Sequence, residues 1–414
     1  MNKKKLIIVI LAITVFSLSC TAYCFYRKDN IKLNKQEEEK VNYDKVTEKF
    51  SSYVITNKQA KLYRLEDNKY IQKGTIEKDV TLTLDTEVEL IFDENIGYFK
   101  IKDMNYFIHY TDVEIGEEIK KEDSYKNYIP FNDNVTTVDN TKFYNQGKLL
   151  FTLDESVNLP IIIKDNDYYY VEYANQLLGV KKDEVTTSYN PNNNGEIANS
   201  IAALNYHFFY DESNKNECQQ VICHHVDQFR SHLNYFRDNG FYTLKMKDME
   251  LFVDGKIQLP KKSVLITIDD GWLAEQGIAL LNEYKMNATV FLITYHYLPD
   301  RFVSEYVEAH SHGDNLHLQG ECPGGQGGPI KCYEEEKLLA DLKTSREKLN
   351  GSTVFCYPFY EYNDYSISVL QKAGFTMAFV GGNRKIKVGD NKMILNRYPI
   401  VSSTSVNRLA QIVN

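Results

Sequence analysis

The chain has 414 residues, 43% hydrophobic, 25% charged and 13% aromatic, with a formal net charge of −9 at pH 7. At roughly 100–200 residues per domain that length predicts two or three domains, and the balance excludes wholesale disorder, collagen and a continuous coiled coil. The acidic excess argues against holding nucleic acid by neutralising phosphates, so no nucleic-acid partner is expected.

Residues 6–26 carry no charged side chain and follow Lys3, Lys4 and Lys5. At ~1.5 Å per residue such a helix would cross a hydrocarbon core of roughly 30 Å, and the lysines would keep the N-terminus in the cytoplasm. The expectation is a cytoplasmic tip and transmembrane signal anchor over 1–26, placing the protein in the cell membrane as a single-pass chain with the rest extracellular; a cleaved or lipidated leader is the alternative. Residues 27–50 (RKDNIKLNKQEEEKVNYDKVTEKF) are charged and poor in apolar side chains, which predicts a stalk. Outside the cell, cysteines can pair. Cys218 and Cys223 (ECQQVIC), and Cys322 and Cys332 (CPGGQGGPIKC), are candidates for two local disulfides, leaving Cys356 over. Free thiols are the alternative, because connectivity cannot be deduced from sequence, and neither spacing is that of a zinc knuckle.

From 51 to 188 short alternating runs rich in Val, Ile, Thr, Tyr and Phe predict strands broken by Asp, Asn and Gly turns. The region repeats: Ala60-Lys61-Leu62-Tyr63 resembles Thr141-Lys142-Phe143-Tyr144, and YFKIKDMNYFIHYTDV from Tyr98 resembles YYYVEYANQLLGVKKDEV from Tyr168. Each copy is similar to a bacterial SH3-like β-barrel domain, giving expected domains at 51–118 and 119–190. The resemblance implies binding to cell-wall peptide or glycan, with a plain spacer as the alternative. Residues 189–200 (SYNPNNNGEIAN) read as a linker. From 201 onward strand, loop and amphipathic helix alternate (IAALNYHFF, VDQFRSHLNYFRDNG, VLITIDDG, EQGIALLNEY, ATVFLIT), which predicts an α/β parallel sheet or barrel with active residues at the C-terminal strand ends.

Two clusters carry chemistry. Val264-Leu265-Ile266-Thr267-Ile268-Asp269-Asp270-Gly271 is a buried strand ending in adjacent carboxylates. One can ligate a metal while the other acts as a base; a capping Asp-Asp-Gly turn is the bland alternative. Further on, Ala309-His310-Ser311-His312-Gly313-Asp314-Asn315-Leu316-His317 gathers three of the nine histidines, a loop that is either metal-ligating or simply solvated.

The stretch TIDDG resembles the first motif of the polysaccharide deacetylases, metal-dependent esterases that remove N-acetyl groups from chitin, peptidoglycan and exopolysaccharide. That resemblance implies a distorted (β/α) barrel over 191–414, with Asp269 as catalytic base and Asp270 as metal ligand. Ser311-His312-Gly313-Asp314-Asn315-Leu316-His317 matches the S-H-x-x-x-x-H form of the poly-N-acetylglucosamine deacetylase branch, which implies His312 and His317 as the other ligands and His310 as a supporting or surface residue, with His310 in place of His312 as the alternative. The third motif, Arg-Pro-Pro-Tyr in the family, corresponds here to Cys356-Tyr357-Pro358-Phe359, so its Arg is missing. The Phe359 N–H is the implied oxyanion donor, and Tyr357, Tyr360 and Trp272 are expected to wall the sugar. The family's last motif supplies a general-acid His that this chain lacks at Leu395-Asn396-Arg397-Tyr398-Pro399. Leu204-Asn205-Tyr206-His207 resembles the segment that opens the permuted branch, implying His207 as the acid, and Arg397 is the candidate base partner of Asp269. His224, His225 and His232 read as capping or solvated residues.

The implied cofactor is one divalent ion, zinc in the first instance, with Co2+, Ni2+ or Mn2+ as alternatives. The implied reaction is metal-dependent N-deacetylation of N-acetylglucosamine in cell-wall peptidoglycan, releasing acetate. A poly-N-acetylglucosamine exopolysaccharide is the alternative substrate, and a catalytically degenerate glycan-binding protein is the alternative of another class. The expected partners are the cell-wall glycan and, through the N-terminal helix, the cytoplasmic membrane.

Overall fold

The computed structural model describes residues 52–85, 92–93, 96–118, 125–193 and 195–414. Among them are two compact units, the first within Met1–Glu122, Val135–Leu159 and Asp167–Ser188, the second within Asp123–Asn134, Pro160–Asn166 and Tyr189–Asn414.

The second unit is organised by strand alternation. The strand Ser263–Asp270 is buried at every position, and successive side chains point to opposite faces. Val264, Ile266 and Ile268 share one apolar cluster with Phe229, Leu233, Ile278 and Leu281, while Thr267 and Asp269 point the other way, toward Arg397. A strand buried on both faces is the mark of a parallel sheet covered by helices. Seven parallel strands close into a ring: β1 (Ala202–Tyr206), β2 (Ser263–Asp270), β3 (Ala288–Leu292), β4 (Val307–Ser311), β5 (Val354–Cys356), β6 (Met377–Gly381) and β7 (Leu395–Pro399). β2 to β7 pair in sequence, and β1 pairs with both β7 and β2 (Leu204↔Tyr398, Leu204↔Ile266), closing the barrel. The (β/α) barrel expected for this part of the chain is therefore present.

The helices are α1 (Val226–Asp238), α2 (Met246–Val253), α3 (Glu275–Tyr284), α4 (Glu335–Lys348), α5 (Asp364–Lys372) and α6 (Val406–Val413). α1 buries Phe229, His232, Leu233 and Phe236, an i, i+3, i+4, i+7 stripe that turns one face to the barrel. His224 and His232 are fully buried rather than solvated; His225 alone caps α1, accepting the Asp227 N–H. On the far side Leu338, Leu342, Val369 and Leu370 pack on Phe355, Tyr357, Ala378 and Val380.

In the first unit the two copies share an element order, apart from the two-residue strand Phe92–Asp93 of the first copy. Hairpins Ala60–Glu66/Lys69–Ile76 and Thr141–Asn145/Lys148–Leu153 each carry a register shift at the matched position, between Leu62 and Tyr63 and between Phe143 and Tyr144. In the second hairpin of each copy Tyr98 faces His109 and Tyr168 faces Lys181, before a 3₁₀ turn and a short strand. The copies join edge to edge through Leu153↔Gly74. A Cβ on Gly74 would lie 2.1 Å from the Thr152 carbonyl oxygen, so glycine is required there.

No helix among the described residues is long and apolar enough to cross a membrane. The longest, α4, has 14 residues, about 21 Å at ~1.5 Å per residue and well short of a ~30 Å hydrocarbon core. This corrects the single-pass membrane location and the membrane partner expected from the sequence. The segment 6–26 that prompted them, and the stalk 27–50, lie outside the described residues.

Candidate active site

The C-terminal end of β2 delivers two carboxylates with different surroundings. Asp269 faces the barrel interior and is 2% exposed; Arg397, projecting from β7, is 0% exposed. Arg397 Nη1 donates to Asp269 Oδ1 at 2.7 Å and to Thr267 Oγ1 at 2.9 Å, and Nη2 donates to Asp269 Oδ2 at 2.8 Å. Asn205 Nδ2, from β1, donates to the same Oδ2 at 3.0 Å. Burial alone would raise the Asp269 carboxyl, but the Arg397 guanidinium outweighs it and holds the group well below the usual carboxylate range. Cys356 Sγ lies 2.7 Å from Arg397 Nη2 and 3.5 Å from Asp269 Oδ2, and burial pushes this thiol up. Arg397 thus brings from β7 the guanidinium that position 356 lacks.

Asp270 takes a left-handed backbone (φ 74°), followed by Gly271 at φ 97°. Such a conformation is costly for a non-glycine residue and concentrates at functional sites. Its Oδ1 is 3.3 Å from Nε2 of both His312 and His317, and it is buried without a hydrogen-bond partner. His312 Nδ1 bonds the Cys356 carbonyl at 2.8 Å, which directs Nε2 toward Asp270. The loop carrying His317 is braced from α4: Asp341 accepts the N–H of Asp314 and of Asn315, and Lys348 bonds Asp314 at 2.6 Å.

The ligand atoms of Asp270, His312 and His317 lie within 4.8 Å of one another. One carboxylate and two imidazoles, with a buried oxygen that has no donor, fit a zinc-class cation and leave a coordination position open. Burial, then the charge of His312, hold His317 down at about 4, so it is neutral as a ligand must be. Burial acts to lower His312 too, but Cys356, Asp270 and Asp269 outweigh it and raise the group; a cation on the trio would take that proton's place. A second trio, Asp269, His312 and Cys356, is equally close, but Arg397 touches two of its members, so its positive charge opposes a cation there.

His207 follows β1, with Nε2 4.0 Å from Asp269 Oδ2 and Nδ1 buried without a partner. Burial lowers its pKa, against the pull of Asp269. Across the mouth Phe359 (φ 56°) and Tyr360 (φ 61°) are consecutive left-handed residues. The Phe359 ring lies 4.2 Å from that of His317, and the Tyr360 hydroxyl accepts from Asn205 Nδ2 at 2.5 Å. Gly381 makes room for this turn, since a Cβ there would meet the Tyr360 ring at 2.5 Å.

Residues 256–378 match the polysaccharide deacetylase family model. The chain carries a polysaccharide deacetylase domain. Over 165 residues it is 27% identical to YxkH of Bacillus subtilis (strain 168), named for polysaccharide deacetylase, covering 36% of this chain and 56% of that protein's length. Over 231 residues it is 24% identical to a poly-beta-1,6-N-acetyl-D-glucosamine N-deacetylase of Staphylococcus aureus (strain N315), covering 48% of this chain and 78% of that one. Among solved structures, a de-N-acetylase from Aggregatibacter actinomycetemcomitans aligns with a TM-score of 0.44 and 21% identity, over 51% of this chain and 99% of that one.

Asp269, Asp270, His207, His312, His317 and Arg397 converge on one end of the barrel, four of them inside the matched residues and His207 and Arg397 on either side of them. His310 turns away, bonding Ser352 Oγ at 2.8 Å. Tyr357 differs from expectation: Cys356 points inward, so Tyr357 points outward, fully buried against the helices, and it walls no open surface. Tyr360 and Trp272 keep partial exposure. Trp272 packs edge-on against Phe208, 4.8 Å away, in a cluster with the disulfide-bonded Cys218 and Cys223. Cys322 and Cys332 form a second disulfide, and Cys356 is free and buried. Asn205 was missed from the sequence. Its signal was there: a polar residue in the apolar run IAALNYHFF, two positions from His207 and so on the same face.

Proposed function

We propose that the C-terminal domain hydrolyses the N-acetyl groups of N-acetylglucosamine residues in a β-linked glycan, releasing acetate. The observation that carries this reading is the Asp270, His312 and His317 trio set beside an ionised Asp269, with His207 at the same mouth. A divalent cation held by the trio would supply Lewis acidity, polarising the acetyl carbonyl and loosening a proton of water.

The chain's own residues do the rest. Asp269 accepts a proton from the attacking water, and Arg397 and Asn205 hold its carboxylate in place. The Phe359 N–H donates to the oxygen on which negative charge develops. As the tetrahedral carbon collapses, the C–N bond breaks, His207 gives its proton to the departing amine, and acetate leaves. Tyr360 and Trp272 border the sugar.

For the substrate, the position of His207 ahead of Asp269 and the names of the Staphylococcus aureus relatives favour poly-β-1,6-N-acetylglucosamine. Peptidoglycan is the alternative substrate, and the duplicated β unit is the feature that favours it. The duplicated element order supports an SH3-like character for that unit, in which case it would hold glycan or wall or set a distance. A degenerate, non-catalytic domain is disfavoured because Arg397 meets Asp269 from another strand. The test is acetate release from poly-β-1,6-N-acetylglucosamine and from purified peptidoglycan, with and without chelator. Chelator-sensitive release from the first and not the second is expected; release from neither would overturn the deacetylase reading.

A further inference from the structure

The loop from Gly320 to Cys332 is closed by the Cys322–Cys332 disulfide and carries no residue of the catalytic set. It is nevertheless tied to the turn that contains Phe359. Glu361 Oε1 accepts the Gln326 N–H at 2.6 Å, and Oε2 accepts the Gly328 N–H at 2.7 Å. Lys331 Nζ sits 3.2 Å from Oε1 and donates to the Gly324 carbonyl at 2.7 Å. The fit is tight: a Cβ on Gly325 would come within 1.8 Å of Glu361 Oε1, and one on Gly328 would lie 2.9 Å from Oε2 and 3.3 Å from Phe359 Cδ2. The loop backbone therefore lies against the Glu361 carboxylate and the Phe359 ring together, and that ring lies on His317.

Phe359 and Tyr360 need such support. Consecutive left-handed non-glycine residues persist only where the surroundings over-determine them. Asn205 holds Tyr360 from inside the barrel; Glu361 and the disulfide-closed loop hold the turn from outside. We propose that Glu361 is a positioning residue that clamps the Cys322–Cys332 loop against Phe359, so that the orientation of the Phe359 N–H, and with it turnover, depends on both the carboxylate and the disulfide. Cys332 is exposed, so a dithiol reductant can reach the bridge; it gives two electrons and two protons, the S–S bond becomes two thiols, and the reductant closes its own disulfide.

The inference rests on the deacetylase reading of this site, and its test separates the two. Full-length wild type, Glu361→Ala and Glu361→Gln, all carrying Cys218→Ser and Cys223→Ser so that only the Cys322–Cys332 bridge responds to reductant, are compared oxidised and after dithiothreitol, with metal content measured throughout. Glu361→Ala is expected to lower kcat by ~10- to 10²-fold, the scale of a misplacement of ~1 Å in a catalytic group, with KM and metal content unchanged; Glu361→Gln, which keeps one acceptor oxygen, should fall between. Reduction should lower wild-type kcat similarly and add little to Glu361→Ala, whereas two unrelated structural losses would multiply. Hydrogen exchange of the peptide spanning 354–362 should rise in Glu361→Ala and in reduced wild type, while β1 stays protected. Wild-type kcat in Glu361→Ala, multiplicative losses, or unchanged exchange would overturn the proposal. If wild type releases no acetate from any glycan, the deacetylase reading fails, and the exchange data still decide whether the clamp exists.

Discussion

Arg397→Met keeps most of the side-chain length and removes only the guanidinium. Arg397 and Asp269 are among the most buried charges described, at 0% and 2% exposed, so their interaction is little screened by water. Removing one partner of a buried pair leaves an uncompensated charge and costs about 3–5 kcal/mol. Thr267 Oγ1 also loses its donor. For a domain of this size about 1 kcal/mol shifts Tm by ~2–4 °C, so the barrel transition should fall by about 6–20 °C in calorimetry. Adding Asp269→Asn removes the orphaned charge, so the double variant Asp269→Asn/Arg397→Met should be more stable than Arg397→Met alone. A loss below about 1 kcal/mol, or a double variant no more stable than the single, would show that the pair does not hold Asp269 as argued.

The other predictions follow the same geometry. His312→Ala or His317→Ala should abolish stoichiometric divalent-metal binding by elemental analysis, whereas His310→Ala, whose ring bonds Ser352, should retain it; a double His312/His317 alanine variant with full metal would refute the ligand set. His207→Ala should slow acetamide hydrolysis by ~10²–10⁴-fold yet spare an aryl acetate, whose leaving group needs no proton; equal losses would make His207 a structural residue. His224 is fully buried and burial holds it at about 4, against an ordinary 6.5. The unfolded chain therefore protonates first, so stability is full above about 6.5 and declines as pH falls toward 4, by at most about 3 kcal/mol at ~1.4 kcal/mol per pH unit. Urea midpoints measured between pH 7.5 and 5 should show that decline in wild type and a shallower one in His224→Gln; equal slopes would place the proton elsewhere.

What could be read from the sequence is what neighbours along the chain determine. An apolar β-branched run ending in Asp-Asp-Gly is a buried strand with two carboxylates at its end, because burial and alternation are local properties. The spacing from His312 to His317 likewise sets how two imidazoles of one loop can meet. The alternation of strand and helix announced a parallel architecture but left sheet and barrel open; closure into a ring was implied only by the family resemblance, since β1 and β2 pair across about sixty residues and no periodicity encodes that partner.

The tertiary structure decided the rest, for the same reason. Arg397, only a candidate partner in the sequence, meets Asp269 from 128 positions away because the position of β7 in the ring puts its guanidinium beside the cysteine that stands in the family's arginine position. Tyr357 and Tyr360 are equivalent as aromatic residues in a sequence, yet strand alternation buries the first among helices, and a left-handed turn swings the second to the mouth. The membrane helix read from residues 6–26 has no counterpart among the described residues. Composition can say that a segment is apolar; which groups converge on one carboxylate is settled by long-range packing, and that is where the chemistry of this site resides.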